Sequence, residues 1–84
     1  MVYKKMVYER IRNLREDADL TQQQIADKLF INRRTYSSYE SGTRGIPPEI
    51  LGEIADIWGT SVDYLMGRTD TKKPYPKNKM KREN

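Results

Sequence analysis

Polar side chains that can form directed hydrogen bonds lie along one face of a short predicted helix near the middle of the chain. Within residues 33–41, Tyr36 and Tyr39 are three positions apart and share one side of this helix. The opposite side carries polar residues at steps of three or four, namely Arg34, Ser37, Ser38 and Ser41. One face is therefore predicted to pack in a core, and the other is available for recognition through hydrogen bonds.

Catalytic chemistry has few candidates in this sequence. The 84 residues include no cysteine and no histidine, which excludes thiolate chemistry and disulfides and removes the usual metal ligand and neutral-pH proton carrier. A body of about 65 residues forms one small core, with little room for a catalytic cavity. We therefore expect a protein that is not an enzyme and needs no cofactor or metal.

The preceding segment must position this polar helix. Thr21 and Gln24 have the spacing of a capping box, which predicts a helix start, and apolar positions within residues 25–29 give that helix one narrow packing face. The pattern is interrupted at residues 30–32, and Asn32 is a good N-cap for the next helix. Two short helices joined by a tight turn are therefore predicted.

Three further helices complete the predicted body. Tyr3, Val7, Ile11, Leu14 and Ala18 have the spacing of one apolar helical face, which predicts a first helix over about residues 4–17. Pro47, Pro48 and Glu49 mark the start of a fourth helix that ends at Gly59, and residues 61–66 can form a short capped fifth helix. The whole chain is thus predicted to be all-α.

The net charge of +4 is unevenly distributed. Residues 1–67 contain nine Lys plus Arg against ten Asp plus Glu, whereas residues 68–84 contain seven against two. We predict a folded domain over residues 1–67 and a mobile, disordered basic tail over residues 68–84, which has two prolines and no apolar periodicity. Nucleic-acid binding by the domain must therefore depend on directed side chains and not on overall charge.

Taken together, these segments resemble the Cro and phage-repressor type of helix-turn-helix domain, often called Xre-type. The matching segments are RIRNLRED, LTQQQIADKL, RRTYSSYESG and PPEILGEIADIWGTSVDYLMG, in that order. The resemblance implies a lambda-repressor-like fold, a compact bundle of five helices. It also implies a symmetric homodimer on double-stranded operator DNA, with the third helix in the major groove.

The resemblance also implies roles for individual residues. Positions that usually contact base edges correspond to Asn32, Arg33, Arg34 and Ser38. Positions that usually contact phosphates correspond to Thr21, Gln22, Ser41, Thr43 and Arg44. Arginine has a planar fork of donors that matches guanine, so Arg33 and Arg34 suggest guanine-containing half-sites. Instead of contacting DNA, the two arginines could be solvated charges on the helix surface, and Thr21 could serve only as a helix cap.

One residue pair and two single positions need separate comment. Arg15 and Glu40 match a pair that often bridges the first and third helices, although an exposed pair would contribute less than about 1 kcal/mol. At the position of Asp19 the family usually has glycine. At the position of Phe30 it usually has glycine or asparagine. A left-handed Phe30 would be strained by about 1–2 kcal/mol. Either burial of its ring offsets that strain, or the turn differs here from the usual one.

The leading functional prediction is a cytoplasmic, sequence-specific transcriptional regulator, a dimeric repressor that occupies a promoter. The alternative is an antitoxin or adaptor whose main role is to bind a protein partner. The mean hydropathy of -0.94, with no apolar run of the roughly 18 residues that a membrane span requires, leads us to expect no membrane association. Ile46, Val62 and Tyr64 are candidate dimer-surface residues, and both Met1 and Met6 are credible starts.

Overall fold

The computed structural model describes the backbone of residues 2–73 and the side chains of residues 7–73. Five α-helices and no strands occur in this part of the chain: α1 (Val2–Asp17), α2 (Gln22–Leu29), α3 (Arg33–Ser41), α4 (Pro48–Trp58) and α5 (Val62–Leu65). The predicted all-α fold with five helices is confirmed, with α1 beginning two residues before the predicted Lys4. Among these helices, none has the length and apolar character needed to cross a membrane.

The starts of α2 and α3 are fixed by the predicted side-chain caps. The Thr21 hydroxyl accepts a hydrogen bond from the Gln24 amide at 3.1 Å, and the Gln24 side chain accepts one from the Thr21 amide at 2.8 Å. At α3, the Asn32 side chain accepts from the Thr35 amide at 2.7 Å. Each cap satisfies amides that have no partner inside the helix, so both helices have well-defined first residues.

Every helix contributes one large, fully buried side chain to a single core. These side chains are Ile11 from α1, Ile25 from α2, Tyr36 from α3, Ile54 from α4 and Leu65 from α5. Full burial of a large apolar side chain contributes about 1.5–3 kcal/mol. The recognition-helix candidate α3 is therefore held by packing against the rest of the domain and not by helix propensity alone.

Arg10 holds the segment that follows α5 against α1. Its Nη1 donates to the carbonyl oxygens of Tyr64 at 2.6 Å and Thr69 at 2.9 Å, and its Nη2 lies 3.0 Å from Asp70 Oδ1. The guanidinium also lies 4.0 Å from the centroid of the Tyr64 ring. The beginning of the predicted tail thus packs on the domain, and its residues 74–84 lie outside the described residues. The boundary between domain and tail stays a prediction.

The joint between α2 and α3 contains Phe30 in the left-handed conformation, with φ 59° and ψ 40°. Amide hydrogen bonds from Phe30 to Asp27 at 3.2 Å and from Ile31 to Ala26 at 3.0 Å close the end of α2. The left-handed prediction is confirmed, and Asp19 is left-handed as well, with φ 61°. The expectation that ring burial offsets the strain at Phe30 is wrong, because the side chain is 94% exposed.

Substitution Phe30→Gly is expected to raise the free energy of unfolding by about 0.5–1 kcal/mol. Glycine removes about 1–2 kcal/mol of left-handed strain but makes the unfolded chain more flexible by about 0.4–1 kcal/mol. Denaturant unfolding measures this change. Phe30→Ala is the control, because it removes the ring and keeps the strain, so its stability should stay within about 0.5 kcal/mol of the parent. A clear loss of stability in both variants would instead indicate a packing role for the ring.

The end of α3 requires glycine for two reasons. Gly42 has φ 80°, and a Cβ atom added there would lie 2.8 Å from Cδ2 and Cε2 of the Tyr8 ring. By contrast, Gly52 lies within α4, and a Cβ added there would meet no atom within 4 Å. The approach of α1 to the end of α3 therefore depends on the missing side chain of Gly42.

The two glycines should respond oppositely to alanine. Gly42→Ala is expected to lower the free energy of unfolding by at least about 2 kcal/mol, through left-handed strain and overpacking against Tyr8. Gly52→Ala should raise it by about 0.5–1 kcal/mol, because alanine is favoured in a helix interior. Thermal or denaturant unfolding compares them, and equal effects would show that the contact with Tyr8 does not constrain Gly42.

Candidate nucleic-acid interface

The first turn of α3 presents two unpaired cations to solvent. Arg33 and Arg34 are exposed, and within residues 7–73 neither has a hydrogen-bond or ion-pair partner. This turn contains no acidic residue, and the N-terminal end of a helix carries partial positive charge that disfavours cations. The arrangement does not stabilise the isolated domain, but it places two guanidinium groups where an anionic partner can reach them.

The other two predicted base-contacting residues are partly engaged within α3. Asn32 is exposed, and its Oδ1 accepts the capping hydrogen bond from Thr35. Ser38 is half-buried, and its hydroxyl donates to the carbonyl oxygen of Thr35 at 2.6 Å. With these bonds intact, Asn32 has its amide nitrogen available as a donor, and Ser38 can act toward a ligand only as an acceptor. Base contact by either residue stays a prediction.

The start of α2 and the start of α3 border the same concave surface. Thr21 and Gln22 line an open concavity of about 670 Å³ together with Arg33 and the end of α1. Thr21 acts as the cap of α2, which confirms the capping interpretation. The Gln22 side chain donates its Nε2 hydrogen to Glu40 at 3.1 Å, which the sequence did not predict. The first amides of α2 have no partners within the helix and are suited to an anion.

The loop after α3 brings the remaining predicted phosphate-contacting residues together. The Ser41 and Thr43 hydroxyls lie 3.0 Å apart, and the Thr43 and Arg44 amides both donate to the Ser38 carbonyl oxygen, at 3.1 and 3.3 Å. Arg44 is exposed, and no described residue pairs with its guanidinium. This loop is folded back onto α3 and carries hydroxyl and guanidinium donors beside it. Phosphate contact by these residues stays a prediction.

A buried ion pair fixes α3 relative to α1. Arg15 Nε donates to Glu40 Oε2 at 2.7 Å and Nη2 to Oε1 at 3.1 Å, and the two side chains are only 14% and 4% exposed. Arg15 Nη1 also donates to the Leu20 carbonyl oxygen at 2.8 Å, and Gln22 completes the set around Glu40. The bridging prediction is confirmed, and the alternative of a weak exposed pair is wrong, because the bidentate pair is shielded from solvent.

The environment of Glu40 changes its proton affinity in a definite direction. Burial by itself raises the pKa of the Glu40 carboxyl, but the hydrogen bonds from Arg15 and Gln22 and the charge of Arg15 outweigh burial, so the pKa lies below the ordinary value of 4.5. Burial is also the main cause that raises the pKa of the Tyr36 hydroxyl, and Glu40 raises it further. Although this hydroxyl interacts with Glu40, it has no well-formed hydrogen bond. Glu40 is therefore a charged carboxylate at neutral pH.

The site offers directed hydrogen-bond donors. Within residues 2–73, no three acidic side chains are grouped so that they could hold a metal ion. The concavity beside Arg33 is open to solvent and does not enclose a ligand. Its chemistry is hydrogen bonding to anionic and polar acceptors through guanidinium groups, side-chain amides and helix-terminal amides.

Comparison of the sequence with known proteins identifies the family of this chain. A sequence profile described as helix-turn-helix matches residues 11–65, which include the paired side chains Arg15 and Glu40 and the whole of α2 and α3. The chain belongs to the Xre-type helix-turn-helix family of transcriptional regulators. This Xre-type chain matches no solved structure significantly.

Three curated relatives illustrate the similarity. The uncharacterized HTH-type transcriptional regulator YobD of Bacillus subtilis (strain 168) is 35% identical over 78 residues, covering 93% of this chain and 70% of that protein. The HTH-type transcriptional regulator AnsR of the same organism is 38% identical over 71 residues, covering 84% and 61%. The cryptic phage CTXphi transcriptional repressor RstR of Vibrio cholerae serotype O1 is 42% identical over 66 residues, covering 77% and 58%. This chain therefore spans about 58–70% of these three relatives.

Replacing the buried carboxylate should change how stability depends on pH. The pKa of Glu40 is lowered in the folded state, so its stabilising effect is present above the unfolded-state pKa and is lost as pH falls through the folded-state pKa. Glu40→Gln is therefore expected to destabilise the domain by about 3 kcal/mol at neutral pH, because Arg15 stays buried without a counter-charge. Denaturant unfolding between about pH 7 and about pH 3 should show the difference shrinking with acidification.

The matched control for this experiment is Glu53→Gln, which removes an exposed carboxylate from α4. It should keep the pH dependence of the parent chain. An unchanged pH dependence in Glu40→Gln would show that the pair with Arg15 does not set the acid sensitivity of the fold.

Proposed function

We propose that this chain is a sequence-specific DNA-binding regulator of transcription that binds operator DNA as a homodimer and acts as a repressor. In this proposal α3 lies in the major groove. Asn32, Arg33, Arg34 and Ser38 contact base edges. Family membership supports DNA binding, and the name of the RstR relative supports repression, because it is a phage transcriptional repressor.

The observation that carries the proposal is the exposure of two arginines in the first turn of α3. Arg33 and Arg34 are exposed, without partners among the described residues, and placed at a helix end where their charge is not favoured. Their helix is nevertheless fixed to α1 through Arg15 and Glu40. A rigid helix with unpaired guanidinium forks is suited to bidentate contacts with guanine, which require accurate placement.

Positioning on the duplex would come from two groups of donors on either side of those arginines. Thr21 and Gln22 stand at the start of α2, and Ser41, Thr43 and Arg44 lie at the end of α3 and in the loop behind it. Phosphate contacts of this kind fix register and orientation without reading sequence. A homodimer would place two copies of α3 in successive major grooves, with half-site centres about one helical turn, or 34–36 Å, apart.

The alternative role as an antitoxin or adaptor has less support from the surface. Among the described residues, Phe30 is the one large hydrophobic side chain that is mostly exposed to solvent. One isolated ring does not make a contiguous apolar patch of a few hundred Å². The half-buried Ile46, Val62 and Tyr64 are assigned in this proposal to the homodimer.

Arginine substitutions test the proposal directly. Duplexes selected from a random library by the full chain should contain a palindrome with the stated half-site spacing. Arg33→Ala and Arg34→Ala should each weaken binding to the selected duplex by about 1–3 kcal/mol more than binding to random DNA. Equilibrium binding across a salt series measures both losses, and equal weakening on the two DNAs would contradict base readout.

Two control substitutions separate base readout from charge. Arg44→Ala should weaken binding to the selected and random duplexes alike and reduce the salt slope by about one. Arg12→Ala, which removes an exposed arginine from α1 outside the interface, should leave the preference for the selected duplex unchanged.

A further inference from the structure

The joint between α2 and α3 has an apolar side chain that nothing within the described residues covers. Phe30 is 94% exposed and adopts a left-handed backbone conformation that glycine would adopt without strain. Its ring gains no burial that would offset this strain. The turn requires the left-handed backbone, but nothing in the fold requires a phenylalanine there. Strained residues cluster at functional sites, which directs attention to what the ring contacts when the protein is bound.

The ring is held outward on a fixed support. Leu29 before it is buried, Ile31 after it packs against the core, and the Ile31 amide donates to the Ala26 carbonyl oxygen at 3.0 Å. The joint is therefore anchored on both sides of the exposed residue. Because the backbone on both sides of the ring is already ordered, binding of a partner there needs no ordering of the chain.

The position of Phe30 in the chain limits which part of a DNA site it can reach. It precedes Asn32, the cap of α3, by two residues and Arg33 by three. Successive Cα atoms are about 3.8 Å apart, so the Phe30 Cα lies within about 11 Å of the Arg33 Cα. Because base pairs are about 3.4 Å apart along the helix axis, a base contacted by the ring would lie within about three steps of those proposed for Arg33.

We infer that Phe30 is a specificity-determining residue that contacts the C5-methyl group of a thymine in the major groove, next to the bases read by Arg33 and Arg34. This inference rests on the proposed function. Thymine is the only base that presents a methyl group in the major groove, and phenylalanine is among the side chains that contact it. The exposed polar neighbours Asp27, Lys28 and Asn32 leave the ring isolated, which fits one methyl group better than a protein interface.

Removing the methyl group tests the inference without disturbing base pairing. In a duplex selected from a random library by the full chain, each thymine near the predicted guanine contacts is replaced in turn by uracil. Loss of one buried methyl contact should weaken binding by the parent chain about fourfold at one thymine per half-site. Phe30→Ala should bind the thymine duplex about fourfold more weakly and should not distinguish it from the uracil duplex.

The controls distinguish failure of this inference from failure of the proposed function. Phe30→Ala should unfold at the same denaturant concentration as the parent, and Lys28→Ala, an exposed neighbour, should keep the response to uracil. If a specific duplex is selected but uracil has no effect, or affects the parent chain and Phe30→Ala equally, the thymine contact is wrong and the regulator proposal stands. A change in sedimentation of Phe30→Ala without a change in the response to uracil would assign the ring to a contact between protein copies and overturn the inference. Selection of no specific duplex would overturn both.

Discussion

The bidentate pair between Arg15 and Glu40 is the interaction on which the placement of α3 depends. The carboxylate lies almost entirely out of solvent, and such a group is stable only when its charge and its lone pairs are matched. Arg15 supplies the charge and two donors, and Gln22 supplies another donor from α2. Because the donors come from α1 and from the start of α2, and the carboxylate belongs to α3, satisfying this one carboxylate fixes the three helices relative to one another.

Arg15 has a different environment from Arg33 and Arg34. Arg15 is buried and paired, so its role is to hold the helices, whereas Arg33 and Arg34 are exposed and have no partner among residues 7–73. The distinction cannot come from residue type, since all three are guanidinium groups on helices. It comes from the side of the helix that each residue occupies relative to the core, and it leaves Arg33 and Arg34 exposed on a helix that is fixed to α1.

Phe30 shows where local sequence preference and the fold disagree. A tight turn between α2 and α3 needs one left-handed residue, and the backbone adopts that conformation even though the residue there is phenylalanine. Hydrogen bonds from the amides of residues 30 and 31 to the end of α2 fix the turn. The requirement of the two helices for that geometry therefore outweighs the preference of one residue, and the ring is directed to solvent.

Much of the fold was predictable because its signals are local. The capping box at Thr21 and Gln24 and the cap at Asn32 each depend on residues within three positions of one another, so the sequence by itself determined where α2 and α3 begin. Contacts between residues far apart in the sequence could not be predicted from local signals. The contact of Gly42 with the Tyr8 ring and the burial of the Glu40 carboxylate join residues far apart in the chain. No periodicity encodes such distances, because they exist only once the helices pack. The sequence thus determined the helices and their order, and it pointed to the pair of Arg15 and Glu40. Only the tertiary structure decided that this pair is buried and that Arg33 and Arg34 remain exposed, because burial depends on how the helices pack.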